Sequence, residues 1–454
     1  MKKRKRLFIF IVSLVLTILV LPKFFSPTKQ PLELLTFSPQ GEKVDVDTVI
    51  TLELTAPPDI ATLEQHFTIN PAVPGQLTVD DSTILFTPEA PLQYSTHYAV
   101  TVTEGVQTKQ GSVLDEPLTL AFTTTDQPPL TIMAMGDIML DQLTRQKLKE
   151  YDPTYPFLRV KELLKQGDVI FGNLETPISA RGTPLAGKKY TFSAAPFSVQ
   201  CLEDAGINMV SLANNHIMDY GEEALSDTLN ILAEHNITSA GAGMNSTQAH
   251  SGTILEIQGY RVALLAYTDD FAVPAQHRAL WQASEQKPGA AIVHDTNRIK
   301  ADIQRLRTKA DLVMVSFHWG YEYTTNVAAE QQKLGHLAID AGADLILGHH
   351  PHVPQGVEIY KGKPIVYSLS NFVFYPFANR PETQDTFILQ AKYENGRITA
   401  LSLIPILGGN SQPYLPQGQE LDALTSRLAQ LLPRLGTSFE VTTDSIIQIK
   451  LPVD

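Results

Sequence analysis

The segment GHHPH, Gly348–His352, places three histidines within four positions directly after the run Asp344–Leu347. A short apolar run of that kind reads as a buried strand, so these imidazoles should emerge at its carboxyl end, where open α/β sheets place their sites. Imidazole is the commonest metal ligand. In an extended segment residues two apart point the same way, which predicts that His350 and His352 clasp one ion while His349 faces elsewhere.

Further upstream, residues able to bind metal or move protons follow one apolar run after another. Asp137 stands in GDIML, Asn173 and Glu175 in FGNLET, Asn214, Asn215 and His216 in LANNHIMDYG, and His318 in SFHWGYEY. Taken singly, each has an ordinary use as a turn former, a cap or a core histidine. Their joint placement at the ends of successive strands predicts a single crevice. A carboxylate such as Asp137 or Glu175 can bridge two ions, and neutral imidazoles with an Asn carbonyl complete the shell without overcharging it. Mixed nitrogen and oxygen donors favour Zn, Mn or Fe over Ca, as one or two divalent ions. Two ions about 4 Å apart activate a water and clamp the oxygens of a phosphoryl or acyl centre. His216 is the candidate acid for the leaving group, with Asp219 as its orienting partner. Arg181, Lys188 and Lys189, in the loop after NLET, are the candidate cations for an anionic substrate, or else a solvated basic loop. Asn173, Glu322, Tyr323 and Asn371 are expected to line the same crevice.

These residues require an α/β scaffold. Thr131–Met135, Val169–Phe171, Met209–Ala213, Val262–Tyr267, Leu312–Phe317 and Leu345–Leu347 are strand-like, and helical patterns separate many of them, notably Gly221–His235, Asn297–Lys309 and Ala328–Ala341. The later runs Pro364–Leu369, Thr386–Tyr393 and Ile398–Pro405 predict a sheet that ends in antiparallel pairing. A helix over Leu421–Leu432 and a strand over Ser445–Lys450 would close the domain, which spans 130–454.

The preceding texture differs. Val49–Leu54, Thr68–Ile69, Gln76–Val79, Ile84–Thr87, Tyr98–Thr103 and Leu118–Thr123 are short alternating segments broken by Pro, Gly and Asp, which predicts an all-β sandwich over 32–126. Asp126–Pro129 reads as the linker onward. Before residue 26, the cluster Lys2–Arg6 precedes the apolar run Leu7–Leu21, and bulky residues fill the region where a small-x-small cleavage site would lie. An uncleaved signal anchor over 1–25, then a linker over 26–31, is expected to hold a single-pass protein in the cell membrane with its later domains outside the cytoplasm.

With 454 residues and 43% hydrophobic content, the chain can bury ordinary cores. A net charge of −13 argues against a nucleic-acid partner, because phosphate binding depends on clustered Lys and Arg. The lone Cys201 excludes an intramolecular disulfide framework.

In order along the chain, GDIML, NLET, NNHIMDYG, HWGYEY, DLILGHHPHVPQG and YSLSNFVF resemble the CapA (PgsA) family of poly-γ-glutamate capsule biosynthesis proteins, over Leu130–Leu407. The segment FSPQGEKVDVDTVITLEL and the closing LTLAFTTT resemble bacterial immunoglobulin-like modules found on exported proteins. The family is similar in fold to calcineurin-like metallophosphatases, which implies a four-layer α/β/β/α sandwich. By that resemblance Asp137, Glu175, Asn215, His318, His350 and His352 correspond to metal ligands, and His216 to the substrate-contacting histidine of the GNH-type motif. Two departures stand out. The metallophosphatase Asp-x-His is here Asp137-x-Met139, and GD-x-x-D appears as GNLE, so Glu175 would replace the bridging Asp. The resemblance implies a poly-γ-glutamate or similar anionic surface polymer as partner, together with polymer synthase or export subunits. Two functions remain open: a metal-dependent hydrolase or transferase acting on polymer amides or phosphate esters, and a non-catalytic component of a synthesis and export complex.

Overall fold

Between His97 and Val102 every second side chain, Tyr98, Val100 and Val102, is buried while its neighbours meet solvent, the period of a strand with one face on a core. The computed structural model describes residues 31–269, 272–273 and 275–452. The chain divides into two units, Met1–Asp126 and Gln127–Asp454.

In the first unit, one four-stranded sheet runs Leu34–Ser38, Ile50–Leu54, Thr83–Pro88, Gly75–Asp80, and a second runs Gly41–Val44, Leu118–Thr124, His97–Val102, Phe67–Asn70. Inward residues of both, among them Leu52, Ile84, Tyr98, Val100 and Phe122, form one apolar core, the packing of a β-sandwich. Among the described residues of this unit a single helix, Ile60–His66, departs from the alternating texture; it contributes only Leu63 to burial. The basic and apolar segment 1–25 lies outside the described residues. Among the described residues no helix is long and apolar enough to cross a membrane.

The second unit contains two large mixed sheets. The nine-stranded sheet is ordered Thr238–Ala240, Met209–Ser211, Val169–Leu174, Leu130–Ile138, Asp385–Glu394, Arg397–Leu407, Ile447–Ile449, Phe439–Val441, and Asn371–Val373 also pairs with Leu130–Ile138. Its first four strands are parallel. From Asp385–Glu394 onward the pairing is antiparallel. The six-stranded sheet is ordered Thr253–Ile257, Tyr260–Thr268, Leu312–His318, Leu345–His349, Lys363–Val366, Val357–Tyr360.

The run beginning at Pro364 therefore does not join the antiparallel end of the first sheet. It lies parallel to Leu345–His349 in the second, because an apolar run carries no label for which of two sheets will bury it. Alternation assigns the layers. Ile132 and Ala134 share a core with Leu264, Met314 and Leu347 of the other sheet, whereas Met133 and Met135 pack with Leu148, Leu225 and Leu232 from helices Gln142–Glu150 and Gly221–Glu234. Val313 and Val315 meet Ile303, Leu306 and Ala338 from helices Thr296–Arg307 and Ala329–Ala341. The sheets thus face each other, and both are buried on two sides, which explains their nearly continuous apolar strands. Cys201 is fully buried among the first helices, and burial pushes its thiol up.

Candidate metal centre

Parallel pairing brings strand ends into line, so that Asn173 and Asn371 both lie in register with Asp137, and His318 with His349. Two glycines permit the close approach. A Cβ on Gly136 would stand 1.9 Å from the Ser370 carbonyl oxygen, and one on Gly348 would stand 2.0 Å from that of Tyr367. Only hydrogen fits at either place.

Asp137 is fully buried. Its Oδ1 accepts from Asn173 Nδ2 at 2.9 Å and lies 3.1 Å from His349 Nδ1; Oδ2 is 3.7 Å from His352 Nδ1 and has no hydrogen-bond partner. Burial pushes this carboxyl up, but the His349 contact and charge, with His352 and Asn173, more than offset it, and the group stays below the usual carboxylate range. Glu175 behaves oppositely. Neither of its buried oxygens has a hydrogen-bond partner. Burial, then the neighbouring charges of Asp137 and Glu322, raise it well above the usual range.

Around these acids stand the imidazoles. His318 Nε2 is 3.5 Å from Glu175 Oε1 and 3.1 Å from Asn215 Oδ1. The His350 ring lies 4.8 Å from that of His318, and its Nδ1 is buried without a partner. Burial and the neighbouring histidines hold His318 well below the ordinary histidine range, and burial with His352 takes His350 to about 3. Both are neutral ligand donors at pH 7. Ligand atoms of Asp137, Glu175 and His352 lie within 4.8 Å of one another, as do those of Glu322, His350 and His352. Two oxygen and nitrogen triads that share His352, with unsatisfied buried acceptors inside them, fit a divalent cation by donor type and spacing.

Beside this cluster, His216 Nδ1 lies 2.7 Å from Asp219 Oδ2, a contact that fits an Nδ1–H donor and leaves Nε2 facing Glu175 Oε1 at 4.0 Å. Asp219 Oδ2 also accepts from the Phe192 amide at 2.8 Å, while Asp219 Oδ1 pairs with the Lys188 ammonium. That ammonium also donates to the Asn215 carbonyl and sits 4.7 Å from the Trp281 ring. Burial lowers His216, Asp219 pulls it upward and Lys188 lowers it again, so it is neutral at pH 7.

The structure brings Asp137, Asn173, Glu175, Asn215, His216, Asp219, His318, Glu322, His350, His352 and Asn371 into one region. Asn371 Oδ1 reaches His352 Nδ1 at 2.8 Å, and the Tyr323 ring stacks on His352 at 5.9 Å. The basic loop is divided. Lys188 turns inward to Asp219, and Lys189 remains exposed with its ammonium 4.9 Å from the Tyr190 ring. Arg181 is not brought to the cluster, because its guanidinium is bound to Asp227 on helix Gly221–Glu234.

The expected geometry of GHHPH needs correction. The strand ends at His349, and His350 and His352 both adopt left-handed backbone, with φ of 96° and 58°. They converge through a strained turn, not an extended segment. Nor does His349 face elsewhere, since it braces Asp137. Its strand position in GHHPH is the signal that could have marked it. Asn214, which the sequence marks only as a strand-end residue, donates to Asn173 Oδ1 at 3.2 Å and to the Leu174 carbonyl, and its own Oδ1 accepts from the His216 amide. Met139 lies buried with Phe192 and Phe374, its sulfur 3.2 Å from the Asp141 amide nitrogen.

A β-sandwich followed by an α/β unit with a buried carboxylate and imidazole cluster at its strand ends is the class of protein this architecture defines. Residues 131–376 match the family described as bacterial capsule synthesis protein PGA_cap, and residues 28–124 match the bacterial Ig-like domain. The chain belongs to the bacterial capsule synthesis PGA_cap family, of CapA type. It is 33% identical over 283 residues to the capsule biosynthesis protein CapA of Bacillus anthracis, covering 61% of this chain and 67% of that one. It is 31% identical over 279 residues to the PGA biosynthesis protein CapA of Bacillus subtilis, covering 61% and 71%. A probable polyglutamine synthesis accessory protein of Mycobacterium tuberculosis is 26% identical over 296 residues, covering 62% and 77%.

Proposed function

We propose that this chain takes part in poly-γ-glutamate capsule biosynthesis as a membrane-anchored protein facing outward, and that its α/β unit is a metal-dependent hydrolase or transferase acting on the polymer. The observation that carries the reading is the pair of triads sharing His352, with Asp137 Oδ2 and both Glu175 oxygens buried and unsatisfied. Helices outside two facing sheets support a metallophosphatase-like four-layer sandwich. The names of the Bacillus relatives support the capsule role, and Lys2–Arg6 before Leu7–Leu21 supports the anchor.

Asp137, Glu175, Glu322, His350 and His352 would hold one or two ions of Zn, Mn or Fe, with His318 and Asn215 beside them. A divalent cation supplies Lewis acidity and a nucleophile at neutral pH. His216, neutral and fixed at Nδ1 by Asp219, would take the proton of the attacking water at Nε2 and pass it to the leaving amine nitrogen as the amide C–N bond breaks. Lys188 holds Asp219 in place. Asn173 and His349 fix Asp137, so that its free oxygen keeps one direction.

Met139 favours a second reading. The position where metallophosphatases carry a histidine here fills an apolar cluster, which suits a site that binds polymer without cleaving it. Metal analysis of the purified full chain, with turnover assays on poly-γ-glutamate and a generic phosphoester, separates the two. The expected result is bound metal and polymer turnover, both lost in His350→Ala/His352→Ala. Bound metal with no turnover supports the scaffold, and ester turnover alone would overturn the polymer assignment.

A further inference from the structure

A cavity of about 550 Å³ lies beside the cluster, between the start of helix Gln142–Glu150 and the segments Lys189–Phe192 and Tyr375–Pro376. Two aromatic contacts tie it to the site. Phe192, on one wall, packs its ring 4.5 Å from that of His216. Tyr375, on another, lies 5.3 Å from Phe377, which in turn lies 5.8 Å from His352.

The lining has a specific chemistry. Gln142 and Gln146 are one helical turn apart, hence on one face, and both are exposed. Neither side-chain amide bonds to a protein group among the described residues, and Gln142 is held at φ 53°, a backbone conformation that costs energy in a non-glycine residue. Each primary amide offers a donor and an acceptor, the complement of a secondary amide link. Lys189 carries an exposed ammonium with no carboxylate partner among the described residues. That ammonium lies over one face of the exposed Tyr190 ring at 4.9 Å. Tyr375 is half-buried, and its hydroxyl is pushed up by burial and then by Tyr190 and Glu175.

We propose that this groove is the subsite for a polyamide chain bearing free carboxylates, with Gln142 and Gln146 reading its amide links and Lys189 one of its carboxylates. The assignment builds on the proposed function for the identity of the polymer, and adds where and by which groups the chain is held.

Fluorescence anisotropy of the full chain with a labelled γ-linked glutamate oligomer, against a labelled galacturonate oligomer, tests it. The expected result is preference for the glutamate oligomer, and about tenfold weaker binding by Gln142→Ala/Gln146→Ala/Lys189→Glu, given the worth of two hydrogen bonds and one exposed ion pair. All three positions are exposed, so bound metal and unfolding temperature should match the wild type and would exclude misfolding as the cause. Equal affinity of the triple variant, absence of oligomer binding or preference for galacturonate would overturn the groove. Binding by wild type and by His350→Ala/His352→Ala, without turnover in either, would retire the hydrolase and leave the groove standing. Turnover by the triple variant at unchanged KM would do the reverse.

Discussion

Glu175 is a fully buried carboxyl with no hydrogen-bond partner at either oxygen. Its carboxyl is raised well above the usual range by burial and then by the Asp137 charge, so a cation entering the metal-free cluster would compete with its proton. Titration calorimetry in buffers of different ionisation enthalpy is expected to show proton release on metal binding, absent in Glu175→Gln. The sign for stability follows from the same shift. A raised carboxyl contributes stability below its unfolded value of about 4.5, and that contribution is lost as pH rises. Metal-free Glu175→Gln should therefore gain on wild type at pH 8, with the difference shrinking in acid. His318 and His350 act in the opposite direction. Their depressed values mean that the unfolded chain takes up protons below about pH 6.5 while the folded chain does not. Metal-free wild type should lose stability from pH 6.5 toward about 3, the value to which His350 is taken, as followed by denaturant unfolding.

Two more side chains separate structural from ligand roles. Met139 directs its sulfur at the Asp141 amide, so Met139→Leu should cost under about 1.5 kcal/mol and leave metal content unchanged; a drop in metal would make the sulfur a ligand. Lys188→Met strands the fully buried Asp219, and breaking such a pair costs about 3 kcal/mol. Adding Asp219→Asn should recover part of that loss in a double-mutant cycle.

For the elements, the decisive feature is how closely the strand ends approach. Gly348→Ala would drive a methyl into the Tyr367 carbonyl and the Trp319 indole nitrogen, at 2.0 and 2.7 Å. Separation of Leu345–His349 from Lys363–Val366 should follow, with loss of bound metal as well as a lower unfolding temperature; retained metal would mean that the turn after His349 adjusts independently. Much of this level was legible in advance, because parallel strands buried on both faces leave continuous apolar runs, and Asp137, Asn173, His318 and His349 stand directly at or after their ends. What was not legible depends on partners distant in sequence. Arg181 is taken by Asp227, which no local pattern announces. The left-handed turn at His350 and His352 is imposed by tertiary surroundings, while the sequence there offers only Pro351 as a hint of bending. The division into two sheets was implied by resemblance but not by the apolar runs themselves.

At the level of the molecule, the two units have separate cores. Every member of the sandwich core lies before residue 126, and the three large clusters of the second unit all begin at or after Leu130. A chain starting at Gln127 is expected to unfold cooperatively and bind as much metal as the full chain; failure to fold would show that the sandwich is needed as support.

The bond between His349 and Asp137 spans 212 residues, and Asn371, still later, completes the surroundings of His352. A growing polypeptide cannot close this cluster until the strand carrying Asn371 has been synthesised. A cation held there would therefore be captured only after residues far apart in the chain have come together.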